Sequence, residues 1–178
     1  MADNQDSLKY PIGRFSVPDS ITEENIEQWI SEIESFPSEL EGALAQVTEE
    51  QLNTPYRPDG WTIRQVVHHV ADSHLNSYIR FKWAMTEKNP TIKGYDENVW
   101  AQLEDSKNAP VEVSVAMIKG IHSRWVVFLR TLSMDDLSRT FFHPEYNRSI
   151  RLDRNVALYA WHGRHHLGHI RIVLSTKN

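Results

Sequence analysis

Apolar residues in this chain recur three and four positions apart over long stretches and almost nowhere alternate one by one. The first spacing lines one face of an α-helix and the second one face of a strand, so the pattern restricts the fold to packed helices. Four stretches carry it. The first runs from about Ile21 to Val47: Ser20-Ile21-Thr22-Glu23 fits a capping box, Ile26, Trp29, Ile30 and Ile33 form a stripe, and Pro37 is expected to kink or restart the helix. The second opens after the breaker run Pro58-Asp59-Gly60, begins at Trp61-Thr62 and continues to about Thr86, ahead of Asn89-Pro90. The third runs from about Val111 to Leu132 on Val115, Ile118, Ile121, Trp125 and Leu129, and the fourth from about Asp153 to Leu174.

Four amphipathic helices of about 20 residues predict an all-α fold, a four-helix bundle, with residues 1–178 as one domain. The connection from Pro90 to Pro110 is long for a turn. It is expected to hold a short helix within Asp96 to Leu103, to serve as a lid or interface segment, and to permit a crossover instead of strict up-down winding. Thr140 to Arg151, with Phe141-Phe142-His143-Pro144 and Tyr146-Asn147-Arg148, reads as a hairpin-like excursion before the fourth helix.

Composition narrows the chemistry. The chain has no cysteine, which removes disulfides, thiolate metal sites and a cysteine nucleophile, so any metal must bind through histidine or carboxylate. Lys and Arg total 19 against 24 Asp and Glu, and no basic block appears, so nucleic acid is not an expected partner. Met1 to Ser7 is polar and acidic and no apolar run approaches a membrane span, so a cytoplasmic protein without membrane contact is expected.

Four of the nine histidines, His162, His165, His166 and His169, fall within eight residues, where even scattering would place fewer than one. On a helix His162 and His166 stack four apart, close enough for both imidazoles to reach one metal, and His165 and His169 share that spacing. Periodicity does not choose between the pairs, because the stripes through Tyr159, His162, His166 and Ile170 and through Leu158, Trp161, His165 and His169 are both largely apolar. His68-His69 on the second helix offers a third ligand, since neighbouring bundle helices lie about 8–10 Å apart. Three histidines without a fourth protein ligand match a catalytic site with an open position. Asp72, three residues after His69, can orient an imidazole or act as general base; the competing reading is an ordinary helix acid. His143, beside Pro144 and Glu145, is expected to be an ordinary loop histidine, the competing reading being an approach to the metal mouth; Arg164 is expected on a solvated or ion-paired face, the competing reading being a contact to an anionic substrate; and Trp61, Trp83, Trp125 and Trp161 are expected to fill core and interface.

Gly60-Trp61-Thr62-Ile63-Arg64-Gln65-Val66-Val67-His68-His69-Val70-Ala71-Asp72 resembles the G-W-[ST]-x-x-[EQ]-V-x-x-H-[LV]-x-D signature of DinB-like proteins. His162-Gly-Arg-His165-His166-Leu-Gly-His169-Ile is similar to their H-x-x-H-H-x-G-Q-I signature. Arg80-Phe-Lys-Trp-Ala-Met-Thr-Glu-Lys-Asn-Pro, Tyr95-Asp-Glu, Phe141-Phe-His-Pro-Glu and Tyr159-Ala-Trp-His extend the resemblance to the YfiT type of metal-dependent hydrolase, over nearly the whole chain from Tyr10. The resemblance implies a four-helix bundle, often a homodimer, holding a divalent transition metal on His69, His162 and His166. One departure is visible: His169 stands where many relatives have Gln, which leaves it a supporting hydrogen-bonding role.

The expected activity is therefore hydrolysis of a small-molecule substrate by metal-activated water. Imidazole ligands suit zinc first, with nickel able to occupy the same site. Two other readings stand beside it. One is a bacillithiol-type thiol S-transferase, in which the metal holds a thiolate, and the other is a noncatalytic metal-binding bundle.

Overall fold

The computed structural model describes residues 2–175. Its elements in chain order are α1 (Ala2–Lys9), α2 (Glu23–Leu44), α3 (Glu49–Leu52), α4 (Ile63–Thr86), α5 (Glu97–Trp100), α6 (Glu104–Asn108), α7 (Val111–Leu129), α8 (Met134–Leu137), β1 (Thr140–His143), β2 (Arg148–Arg151) and α9 (Leu152–Ser175). The long helices α2, α4, α7 and α9 form the expected bundle, and β1 pairs antiparallel with β2 from Thr140↔Arg151 to His143↔Arg148.

Two local expectations are corrected. The box that starts α2 is Thr22 with Asn25, each side chain bonding the other's backbone N–H, two residues later than Ser20. Pro37 lies inside α2, which continues through it to Leu44 without restarting. The second long helix starts as read: Thr62 caps α4, and Gln65 completes the box.

The winding follows from which residues meet. Glu41 pairs with Lys119 and Glu34 with Arg130, so α2 and α7 run antiparallel. His68 meets Ser114, His74 meets His122 and Tyr78 meets Trp125, so α4 and α7 run parallel. His69 meets His162, Ser73 meets Tyr159 and Ser77 meets Asn155, so α9 runs against α4. Each of α2 and α4 packs on both α7 and α9. Parallel neighbours need a connection that returns along the bundle, and residues 87–110 supply it. This crossover is held at both ends of its course: at its start Arg139, just after α8, donates to the Glu87 carbonyl and Phe142 of β1 exchanges backbone hydrogen bonds with Pro90 and Ile92, and toward its end Gln65 and Arg64 of α4 donate to the carbonyls of Ala101 and Ala109.

Two apolar clusters fill the interior. One centres on Ile30, Ile33, Phe81, Trp125, Leu152 and Val156, the other on Phe36, Leu40, Val66, Val67, Leu167 and Ile170. Between them lies a layer of histidines. No helix among the described residues is long and apolar enough to cross a membrane.

Candidate metal centre

Antiparallel α4 and α9 bring His69, His162 and His166 to one point. His162 Nε2 lies 3.3 Å from His69 Nε2 and 3.2 Å from His166 Nε2. A tetrahedral ion about 2.0–2.1 Å from each of three imidazole nitrogens separates them by about 3.3–3.4 Å; both distances from His162 match this, and the donor atoms of all three rings lie within 4.8 Å of one another. Burial holds His69 down at about 4 and His162 and His166 well below the ordinary value of 6.5, with the neighbouring imidazoles adding to the effect. Neutral rings are the form that ligates a metal.

The second sequence-derived pair is also close, since His165, His166 and His169 likewise offer ligand atoms within 4.8 Å of one another. Proton placement separates the two groups. A carbonyl only accepts, so neutral His169, with Nε2 3.2 Å from the Lys9 carbonyl, carries its proton on Nε2 and presents a lone pair at Nδ1. That lone pair faces His166 Nδ1 at 3.3 Å, which therefore donates and leaves the lone pair of His166 on Nε2. The same logic runs from the other side. His122 Nδ1 donates to the Ile33 carbonyl at 2.6 Å, His74 Nδ1 donates to His122 Nε2 at 2.8 Å, and His162 Nδ1 donates to His74 Nε2 at 3.1 Å. Both α9 histidines thus turn their Nε2 lone pairs toward His69, each through a chain of rings ending on a backbone carbonyl.

His68 faces away from this point: its ring spans Ser114 Oγ at 2.7 Å and the Ala109 carbonyl at 3.1 Å, tying α4 to α7 and the crossover. Asp72 does not line the histidine cavity. It lies toward α6, where burial, with Asp105 adding, raises its carboxyl to about 6. Arg164 pairs with Glu32, as read from sequence.

The three nitrogens open onto a cavity of about 530 Å³. Trp61 and Trp161 line it, correcting their reading as core, whereas Trp125 is fully buried and Trp83 is 40% exposed. Trp61 lies against His69, Trp161 stacks on His165 at 4.3 Å and Tyr56 on His169 at 3.9 Å. Deeper in, Ser73 Oγ lies 3.2 Å from the Tyr159 hydroxyl, and burial raises the phenol of Tyr95, contributed by the crossover, so that it stays protonated. The β1–β2 hairpin closes one end with His143, which is the last residue of β1 and lines the cavity, correcting its reading as an ordinary loop histidine; it stacks on Tyr146 at 4.2 Å. Sequence reasoning missed Ser73, Tyr95 and Tyr159 as site residues, because hydroxyls are not metal-ligand types, and missed that Lys9 and Tyr10 reach the site. Ser73 carried a usable signal, one helical turn after His69, and so did Tyr159, on the stripe of His162 and His166.

The chain matches the family model described as DinB superfamily over residues 32–170. Proteins of Bacillus cereus strain 03BB102 and Bacillus mycoides strain KBAB4, which carry the provisional name metal-dependent hydrolase, are 57% and 58% identical over 163 residues, covering 92% of this chain and 93% of each relative. The solved structure of YfiT from Bacillus subtilis, described as a probable metal-dependent hydrolase with an unusual four-helix bundle topology, superposes with a TM-score of 0.91. It is 46% identical, and the match covers 94% of this chain and 95% of that one.

Proposed function

The chain belongs to the DinB superfamily, and from that premise we propose that it is a metal-dependent hydrolase acting on a small molecule, with one divalent ion held by His69, His162 and His166. The observation that carries the reading is the convergence of three neutral imidazoles on the wall of a cavity, with His162 at tetrahedral-ligand spacing from both His69 and His166. Zinc is the first candidate and nickel the second, because imidazole donors suit both. When bound, such an ion supplies Lewis acidity toward a water or a polarised carbonyl. The chain's own hydroxyls do the rest: Ser73, Tyr95 and Tyr159 line the cavity and present hydrogen-bond donors to a substrate oxygen, Tyr95 with its phenol held protonated by burial. Trp61 and Trp161 flank the histidines and limit the approach of bulk water.

Elemental analysis after dialysis tests the ligand set. His69→Ala and His166→Ala should lose the ion, and His68→Ala and His165→Ala should keep it; full metal in His166→Ala overturns the assignment. A panel of esters and amides, assayed with and without a low-molecular-weight thiol such as bacillithiol, tests the reaction. Turnover that appears only with the thiol replaces hydrolysis with thiol transfer, and no turnover under either condition leaves a metal-binding bundle.

A homodimer belongs to the same reading, supported by the exposed apolar side chains of Val99, Leu103, Val113 and Val127. Light scattering that returns a single chain mass of 20.7 kDa across a wide concentration range contradicts it.

A further inference from the structure

Two buried arginines stand on α4, and their surroundings differ. Arg64, 5% exposed, reaches the Glu49 carboxylate, the Ala109 carbonyl and Asn53 Oδ1. Arg80, 8% exposed, has no hydrogen bond and no ion pair among the described residues. Its guanidinium carbon lies 6.0 Å from the ring centre of Tyr95, and it lines the same cavity as the histidines. No nitrogen of Arg80 is among the fully buried unpaired side-chain atoms, so the little surface that Arg80 keeps presents its guanidinium to the cavity, where an anion from outside the chain can meet its donor fork.

The position is consistent with a substrate contact. Eleven residues, three helical turns, separate Arg80 from His69, so both lie on one face of α4 with about 16 Å of helix between them. Ser73 falls between them on that face and also lines the cavity. Around Arg80 the crossover supplies Tyr95 and Glu97, and the β1–β2 hairpin supplies His143, Glu145 and Tyr146. Glu97 and Glu145 are exposed and neither pairs with Arg80. Their charge disfavours a dianion such as a phosphate monoester, while the planar fork of the guanidinium matches a single carboxylate.

Resting on the hydrolase reading, we propose that Arg80 is the anion-binding end of the substrate cavity and that the substrate is an elongated molecule with a carboxylate at the end remote from the metal. The reacting group lies at His69, His162 and His166, the body of the molecule runs past Ser73, Tyr159 and Tyr95, and the carboxylate meets Arg80. Arg80 then sets specificity, and the histidines set reactivity.

The test uses phenylalkanoates of increasing chain length and their matching primary amides, followed by ligand-observed NMR on both zinc-loaded and EDTA-treated protein. At least one acid should bind about tenfold more tightly than its amide. Arg80→Gln should erase that preference with and without zinc, while circular dichroism and zinc content stay at parental values. Arg80→Lys, which keeps the charge and loses the fork, should retain part of it. Equal binding of every acid and amide, or no binding by any member of the series, overturns the proposal. So does a preference that survives in Arg80→Gln; if that surviving preference disappears on EDTA treatment, the metal and not Arg80 holds the carboxylate. Because the Arg80→Gln comparison is also made without metal, failure here is distinguishable from failure of the metal assignment, which elemental analysis reads.

Discussion

At the scale of single residues, the histidines divide into those that face the proposed ion and those that fix which nitrogen faces it. His169 passes the Lys9 carbonyl's demand for a proton on to His166, and His74 and His122 pass that of the Ile33 carbonyl on to His162. Supporting partners of this kind are typically worth about 10–100-fold in metal affinity. His169→Leu, which cannot accept from His166 Nδ1, is therefore expected to weaken zinc binding by about 10–100-fold. His169→Gln, whose amide oxygen can accept, should stay near the parental affinity. Imidazole ¹⁵N spectra of the metal-free protein should show His162 and His166 protonated at Nδ1. A proton on Nε2 of His166, or an unchanged zinc dissociation constant in His169→Leu, would sink this account. The sequence made the cluster visible but left its pairs degenerate, because spacing fixes which rings share a face and says nothing about which carbonyls lie beyond them. Lys9 and Ile33 supply that information, and they come from remote elements.

At the scale of elements, the site depends on how closely α9 approaches its neighbours. A Cβ placed on Gly163 would lie 2.8 Å from Phe36 Cδ2, so α2 and α9 sit at a separation that only glycine permits. Gly163 neighbours His162, so a shift of α9 there displaces a proposed ligand. In a helix interior Ala is better than Gly by about 1 kcal/mol, but overpacking a buried contact costs about 1–3 kcal/mol. Phe36 is 2% exposed and has little room to yield, so the overpacking cost dominates. Gly163→Ala is expected to lower stability by about 1 kcal/mol and to loosen zinc binding as well, measured by urea denaturation and zinc titration. A gain in stability would mean that Phe36 can move aside. The long helices were legible because each carries an uninterrupted stripe, and the start of α4 because Thr62 and Gln65 form a local box. The short helices α1, α3, α6 and α8 were not, because four to eight residues are too few for a periodic stripe and tertiary contacts hold them.

At the scale of the whole molecule, the parallel pairing of α4 and α7 forces the crossover along the bundle, and the crossover in turn roofs the cavity with Tyr95. The sequence allowed a crossover in residues 90–110, yet its course is set by distant carbonyls, such as those of Ala101 and Ala109, that α4 engages. The two apolar clusters lie on either side of the histidine layer, so the bundle has enough core to stand without an ion. EDTA at neutral pH should therefore leave the far-ultraviolet helical signal nearly intact while lowering Tm by several degrees. Acid should act differently on the chelated protein. Burial holds His69, His122, His165 and His169 at about 4 in the fold, whereas in the unfolded chain they titrate near their ordinary value of 6.5. As pH falls below 6.5 the unfolded state takes up protons that the folded state refuses, so stability present above that value is lost progressively down to about 4. Asp72 works in the opposite sense, since a carboxyl raised to about 6 takes up its proton in the fold first, but it is one group against a buried set of imidazoles. The Tm of EDTA-treated protein is thus expected to fall by roughly 5 °C or more between about pH 7.5 and pH 5. A flat profile over that range would mean that the histidines exchange protons freely in the folded chain, and a layer that does so cannot be the dry, neutral ligand shell on which the proposed metal centre depends.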